Sequence, residues 1–451
     1  MDIIKLLVRN GANFLSDCFG LTPLMTAALT GNKEMVEYLK SVFKCSVEDE
    51  VNAYKLLGAT YVDKFYDLSG ACEFWRFALK KSKNCSQKYR ESLTNNNEYY
   101  KEAYADTMEC QTEEDLNELY CDPDKMKIQS LIIRERILGI HHPETYYFIR
   151  YRGAAYADSG DYTRCLSLWM YNLERQQNAY KPLSDMTQNS FLSIIELFSF
   201  MFNKCDFSVR ICDIFRVLKL AIKEMLPSIN VSCGPDNNTK LFPVLKKKLV
   251  SQKESKTFNG DVTGLDRHFL IVIQLIGFMC QLRPRMTEKE WKDFKKSLYE
   301  FVAFEPRTTF SYSLLHVLCL ISHNQLFSHT KIPLFDVFVQ VVDVSRNLDI
   351  IDLNGNTSLH LLFNQPALKL NMINYLLKSG AHLDLCNEDG CAPLDLVINQ
   401  NCFKVKFLPL QCLCAHLITK RNISFDSLPL HLREYVRLHQ NRGYSANIYQ
   451  S

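Results

Sequence analysis

The chain has 451 residues, of which 47% are apolar and 23% charged, with a formal net charge of +3. That apolar share supports a sizeable core and excludes global disorder, and the near-neutral balance argues against a nucleic-acid-binding protein. Glycine (16) and proline (14) are too scarce for a protein built from many tight β-turns, so a mostly helical chain of about three domains is expected.

The opening Met1-Asp2-Ile3-Ile4-Lys5 lacks the ordered basic, apolar and cleavage regions of a signal peptide. The longest apolar run, Phe269 to Cys280, is a dozen residues interrupted by Gln274. A membrane-spanning helix needs about 20, so the run reads as a buried helix. None of the 17 cysteines has C-x-x-C spacing, and Cys412-Leu413-Cys414 is the one close pair. In a long chain without a secretory signal these read as reduced thiols, and sequons such as Asn230-Val231-Ser232 as coincidences. The expected location is the cytoplasm, with the nucleus as a second compartment.

Residues 1–46 carry ankyrin-like signals. Gly20-Leu21-Thr22-Pro23-Leu24-Met25 leads into Ala27-Ala28, Gly31, Val36 and Leu39, which is one complete unit. Ahead of it, Ile3, Ile4, Leu6 and Leu7 followed by Gly11-Ala12-Asn13 look like the second helix of a preceding repeat. The sequence therefore opens inside a repeat, and part of that helix's apolar face is expected to meet water.

Residues 47–305 show helical periodicity. Gly58-Ala59-Thr60-Tyr61, preceding an apolar helix through Phe74 and Phe77, resembles a tetratricopeptide unit. So does Gly153-Ala154-Ala155-Tyr156, followed by Gly160, Cys165, Leu168 and Trp169. Segments 81–98 and 228–264, rich in Asn, Ser, Lys and Gly, read as mobile insertions, with Lys246-Lys247-Lys248 as a solvated charge run.

Residues 306–402 read as three further ankyrin units. Gly355 and Gly390 stand 35 residues apart, each before a T-P-L-H-like segment: Thr357-Ser358-Leu359-His360 and Ala392-Pro393-Leu394-Asp395. Each glycine suits a turn requiring positive φ, and Gly380 ends the intervening helix. A degenerate earlier unit has Ser313-Leu314-Leu315-His316, with Ser311 where its glycine would fall. The fold class expected is all-α, an ankyrin/TPR-like solenoid.

Chemistry is harder to find. The nucleophile elbow, the phosphate loop and H-E-x-x-H are all absent. His141-His142 and the Cys386/Cys391 pair lack ligand spacing, and His316 and His360 fit a structural role tying turns together. No catalytic residue, cofactor or metal site is expected. Residues 403–440 are more informative. Leu410, Cys414 and Ile418 recur at i, i+4 and i+8, flanked by Leu413 and Leu417, which makes an apolar stripe with a small residue at its centre. A second helix opens near Pro429 and presents Leu432, Tyr435, Val436 and His439. From periodicity alone, this pair reads first as a cap on the ankyrin stack. Residues 441–451 form a tail.

Taken in order, these segments resemble the Fem (feminization) family, substrate receptors of cullin-2–elongin ubiquitin ligases. The similarity is greatest at Leu56-Leu57-Gly58-Ala59-Thr60, Leu131-Ile132-Ile133-Arg134-Glu135-Arg136-Ile137-Leu138-Gly139 and Tyr151-Arg152-Gly153-Ala154-Ala155-Tyr156-Ala157-Asp158. The resemblance implies an elongin-C-binding box at Pro409, Leu410, Leu413, Cys414, Leu417 and Ile418, and a cullin-2 box at Leu428, Pro429, Leu432 and Tyr435. It implies a non-catalytic adaptor whose partners are elongin B/C, cullin-2, its RING subunit and target proteins bearing C-terminal degrons, with neither nucleic acid nor membrane. Family members read degrons with additional upstream ankyrin repeats, so no substrate-binding residue transfers to a position in this sequence. The alternative is an ankyrin scaffold whose last helices only cap the fold.

Overall fold

The structure, a computed structural model, describes residues 2–85, 102–139, 141–204, 209–232, 264–308, 310–321, 332–398 and 410–442. Among the described residues every regular element is a helix. The chain divides into two units, Met1–Tyr180 and Lys181–Ser451.

In the first unit, α1 (Asp2–Arg9) precedes an ankyrin pair, α2 (Pro23–Leu29) and α3 (Lys33–Val42). Thr22 caps α2 by accepting from Met25 N at 3.3 Å, with Pro23 in the first turn, where its missing N–H costs nothing. Ile3, Leu6 and Leu7 are largely exposed, as their sequence context suggested, while Ile4 packs against the core.

Two helical hairpins follow, α4 (Val47–Thr60) with α5 (Leu68–Ser82), and α8 (Pro143–Asp158) with α9 (Tyr162–Ala179). One local rule builds both. A Cβ on Gly58 would fall 2.4 Å from Trp75 Nε1, and a Cβ on Gly153 would fall 2.2 Å from Trp169 Nε1. Each indole N–H donates to the carbonyl three residues before its glycine, Trp75 to Lys55 at 3.0 Å and Trp169 to Arg150 at 3.1 Å. Glycine is required because the partner helix presses an aromatic ring onto the backbone. The apolar helix read after Gly58–Tyr61 is α5, with Phe74 buried; the reading is corrected at Phe77, which is 56% exposed, and the ring that meets Gly58 inside α4 is that of Trp75.

Helices α6 (Glu113–Tyr120) and α7 (Pro123–Leu138) separate the hairpins. Around α7 the core is polar as well as apolar, with Gln129, Ser130 and Arg134 all buried. Arg134 donates to Asp63 and Glu144, both at 2.9 Å, and stacks 4.1 Å above the Phe148 ring. Glu109 is held between Lys55 and Arg136, and Glu135 accepts from the hydroxyls of Tyr104 and Tyr171. Each of these groups is met by an opposite charge or, at Glu135, by hydroxyl donors, as burial demands.

The second unit begins with α10 (Asp185–Asn203), α11 (Ile211–Ser232) and α12 (Gly264–Leu282). Segment Gly264–Arg285 is long and apolar enough to cross a membrane, yet 78% of its most apolar stretch is buried within the protein. The helix outruns the apolar run seen in the sequence because Asp266 and His268, ahead of it, are buried too, as is Gln274 within it; His268 Nε2 lies 2.9 Å from the Ala221 carbonyl. Of the segments read as insertions, residues 81–82 end α5 and 228–232 continue α11. Residues 86–101 and 233–263, with the lysine run, lie outside the described residues.

Helix α13 (Glu288–Ala303) leads into the ankyrin block: α14 (Leu314–Leu320), α15 (Leu334–Val344), α16 (Ser358–Phe363), α17 (Leu370–Lys378) and α18 (Pro393–Ile398). The same turn recurs before α2, α14, α16 and α18. Its corners are Gly20, Ser311, Gly355 and Gly390, with φ of 80°, 62°, 76° and 72°. Across each corner a backbone N–H donates back to a carbonyl: Asp17 to Leu21, Thr308 to Tyr312, Asp352 to Asn356 and Asn387 to Cys391, at 2.9–3.0 Å. Ser311 thus adopts the left-handed conformation that its repeat position dictates, against the preference of a residue with a Cβ. Two histidines stitch successive turns together. His316 Nε2 lies 3.1 Å from the Asn356 carbonyl and His360 Nε2 3.0 Å from that of Cys391, while each Nδ1 engages its own cap residue, Ser313 or Thr357.

Candidate docking surface

Helices α19 (Leu410–Lys420) and α20 (Leu430–Arg442) follow the ankyrin block. The 3.6-residue period divides α19 into two faces. Cys412, Ala415 and His416 are buried, whereas Leu410 is 75% and Leu417 50% exposed, with Cys414 exposed between them. Leu413 and Ile418 are half-buried at the edges of this row. The residues read as an elongin box therefore share one outward stripe, except Pro409, which lies outside the described residues.

The second motif is divided differently. Pro429 is exposed and stands one residue before α20, its carbonyl accepting from Leu432 and Arg433 at 3.0 Å, so it serves as a cap rather than within the first turn. Leu428 and Leu432 are half-buried. Tyr435 turns towards α19, its hydroxyl 3.0 Å from Cys412 Sγ and its ring 4.8 Å from that of His439. Leu430, absent from the motif, is 61% exposed beside Pro429.

The inward faces of both helices meet a layer that the sequence did not disclose. Asp349 and Asp384 occupy equivalent positions of successive ankyrin units, 35 residues apart. His382 places Nδ1 2.5 Å from Asp349 Oδ2 and donates its backbone N–H to Oδ1 at 3.0 Å. His416, on α19, places Nε2 2.7 Å from Asp384 Oδ2. Helix α19 thus treats Asp384 as the last repeat treats Asp349, and continues the stack. His439, on α20, adds Nε2 at 3.2 Å from Asp384 Oδ2.

Electrostatics follows from this layering. Burial opposes the charged form of His382, but hydrogen bonding to Asp349 and then Cys412 overrides it and lifts the pKa to about 9. Burial would likewise raise Asp384, yet His416 and His439 hold it below the usual carboxylate range. The rings of His416 and His439 meet edge to face, centroids 5.2 Å apart.

No short motif could have revealed these groups, because residues 382, 384, 416 and 439 come from three elements. The other histidine and cysteine candidates are structural: His142 caps α8 by accepting from Glu144 N at 3.2 Å, and Cys386 and Cys391 flank an ankyrin turn.

Comparison with known proteins agrees with this architecture. The ankyrin repeat family matches residues 19–49, covering the α2–α3 pair. Protein fem-1 homolog C of Xenopus laevis is 33% identical over 444 residues, covering 94% of this chain and 66% of the relative. The Homo sapiens fem-1 homolog C is 33% identical over 462 residues, covering 97% of this chain and 68% of the relative. The fem-1 homolog A of Danio rerio is 30% identical over 436 residues, 94% of this chain and 66% of its own length. The chain thus spans about two thirds of the length of these relatives. With its all-helical repeat architecture, its ankyrin turns and this extent of similarity, the chain belongs to the Fem-1 family of repeat proteins.

Proposed function

We propose that this protein is a non-catalytic adaptor of a cullin-2–elongin ubiquitin ligase, presenting a target protein for modification by other subunits. The observation that carries this reading is the two-faced character of α19. Its inner face is fixed to the ankyrin stack through His416 and Asp384, leaving Leu410, Cys414 and Leu417 in an outward row. Fully burying a leucine yields about 1.5–3 kcal/mol, so two leucines entering a partner's groove suffice for a specific contact, and the small Cys414 between them permits close approach. Elongin C is the partner assigned to this row. The cullin is assigned to the neighbouring surface around Leu428, Pro429 and Leu432. Target proteins with C-terminal degrons are the expected cargo, and the cytoplasm is the expected site of action.

The alternative reading, an ankyrin scaffold capped by these helices, draws on the repetition of the His382–Asp349 pair by His416–Asp384. Co-purification of the intact chain with elongin B and C separates the two. Stoichiometric capture is expected, and no capture by a folded chain would sink the ligase reading. Replacing Pro429 and Leu432 together should weaken cullin binding while sparing elongin.

A further inference from the structure

Three buried metal-ligating side chains from three separate elements converge behind the docking face. Asp384 comes from the last ankyrin turn, His416 from α19 and His439 from α20. All three side chains have 0% exposure, and their donor atoms lie within 4.8 Å of one another. His416 Nε2 and His439 Nε2 stand 2.7 and 3.2 Å from the same oxygen, Asp384 Oδ2.

The second nitrogen of His439 fixes its role. Nδ1 lies 2.9 Å from the Tyr435 carbonyl, which can only accept, so Nδ1 carries the hydrogen. In the neutral ring, Nε2 then turns its lone pair on a carboxylate oxygen. Asp384 Oδ1 is buried as well and has no hydrogen-bond partner among the described residues. A buried site with an open carboxylate oxygen and an imidazole nitrogen facing a carboxylate is satisfied by a positive charge between them, either a proton on Nε2 or a bound metal ion.

We propose that Asp384, His416 and His439 form a binding site for a zinc-class divalent ion, which staples α19 and α20 to the last ankyrin turn. Two imidazoles and a carboxylate suit Zn²⁺, whose bonds to such donors run about 2.0–2.2 Å. Tetrahedral bonds of that length hold neighbouring donors about 3.3 Å apart. The His439–Asp384 separation already matches, and His416 would have to withdraw by about 0.6 Å. Asp384 Oδ1 is available as an additional ligand. The Tyr435 carbonyl on His439 Nδ1 is the kind of outer acceptor that orients metal-bound imidazoles. Cys412 and His382 form a second donor group with His439, which favours a borderline ion over magnesium or calcium. An open cleft of about 470 Å³, lined by Asp349, Ser379, His382 and Leu438, lies beside the neighbouring His382–Asp349 pair.

The test uses the full chain, stripped with a chelator and titrated with zinc chloride by calorimetry. One tight binding event per chain and a thermal midpoint raised by several degrees are expected. Asp384→Asn combined with His439→Gln should weaken that event at least tenfold, whereas His431→Gln, on the exposed side of α20, should leave it intact. X-ray absorption on the zinc-loaded native chain covers the case of a variant that fails to fold, with a first shell of nitrogen and oxygen expected. No zinc uptake by the folded chain, a shell dominated by sulfur, or unchanged binding in the double variant would each overturn the proposal.

Discussion

Helices α7 and α19 satisfy their polar groups in opposite ways. In α7, Gln129, Ser130 and Arg134 are buried along with the leucines and isoleucines, and Arg134 finds its partners within the first unit. In α19 one face is buried through His416, and the other leaves Leu410 and Leu417 to water. A helix wrapped by its own chain is specified by internal complementarity, so almost any substitution is felt as instability. A helix buried on one side only can change its outer residues with little effect on folding, and selection there reads binding instead.

Four experiments sharpen that contrast. The largest effect is expected at Arg134. Changing it to Met leaves Asp63 with the Ser130 hydroxyl alone, while Glu144 keeps Lys64, and breaking a buried ion pair typically costs about 3–5 kcal/mol. Chemical denaturation measures this, and a loss under 1 kcal/mol would show that the network is ornamental. Next comes Gly153→Ala, whose new methyl would sit 2.2 Å from Trp169 Nε1. Overpacking of this kind costs about 1–3 kcal/mol, and a compensating Trp169→Phe should recover part of it.

Acid provides the third experiment. Burial pushes the Glu109 carboxyl up, but Lys55 and Arg136 together hold it below its ordinary value. A group depressed in the folded state stabilises fully above its unfolded pKa of about 4.3, and that contribution is lost as pH falls further. Denaturation midpoints should therefore decline through this window, and less steeply in Glu109→Gln. The smallest effect on stability belongs to Leu410→Ser, within about 0.5 kcal/mol because the side chain is 75% exposed. The same change should weaken elongin C at least tenfold. Unchanged affinity would remove Leu410 from the proposed contact.

The repeats were legible because turns leave local marks. Gly355 and Gly390 announce their corners, and even the degenerate unit could be placed through Ser313 and His316, with Ser311 confirming that position outweighs residue type. The outward row on α19 was legible for the same reason, since helical period is written in adjacent residues. Trp75 was overlooked because the glycine–indole contact joins residues 17 apart, and nothing near Gly58 names which aromatic will arrive. Asp384, His416 and His439 were invisible for a stronger reason: 32 residues separate the first two, and their meeting depends on how the helices stack. Tyr435 shows the limit of motif reading, since a pattern position cannot say whether a ring turns outward or, as here, towards Cys412.

The stitching histidines give the ankyrin block a direction. His316 and His360 each reach forward to the following turn, while Asp349 and Asp384 are each grasped by a histidine from the element after them. Every unit is therefore latched by its successor, like the teeth of a zip whose slider sits at α19 and α20. A load pulling those two helices away would open the latch on Asp384 first and only then expose the one on Asp349, so mechanical failure should travel towards lower residue numbers. Held at that end by a large partner, the block would instead transmit force as a stiff rod.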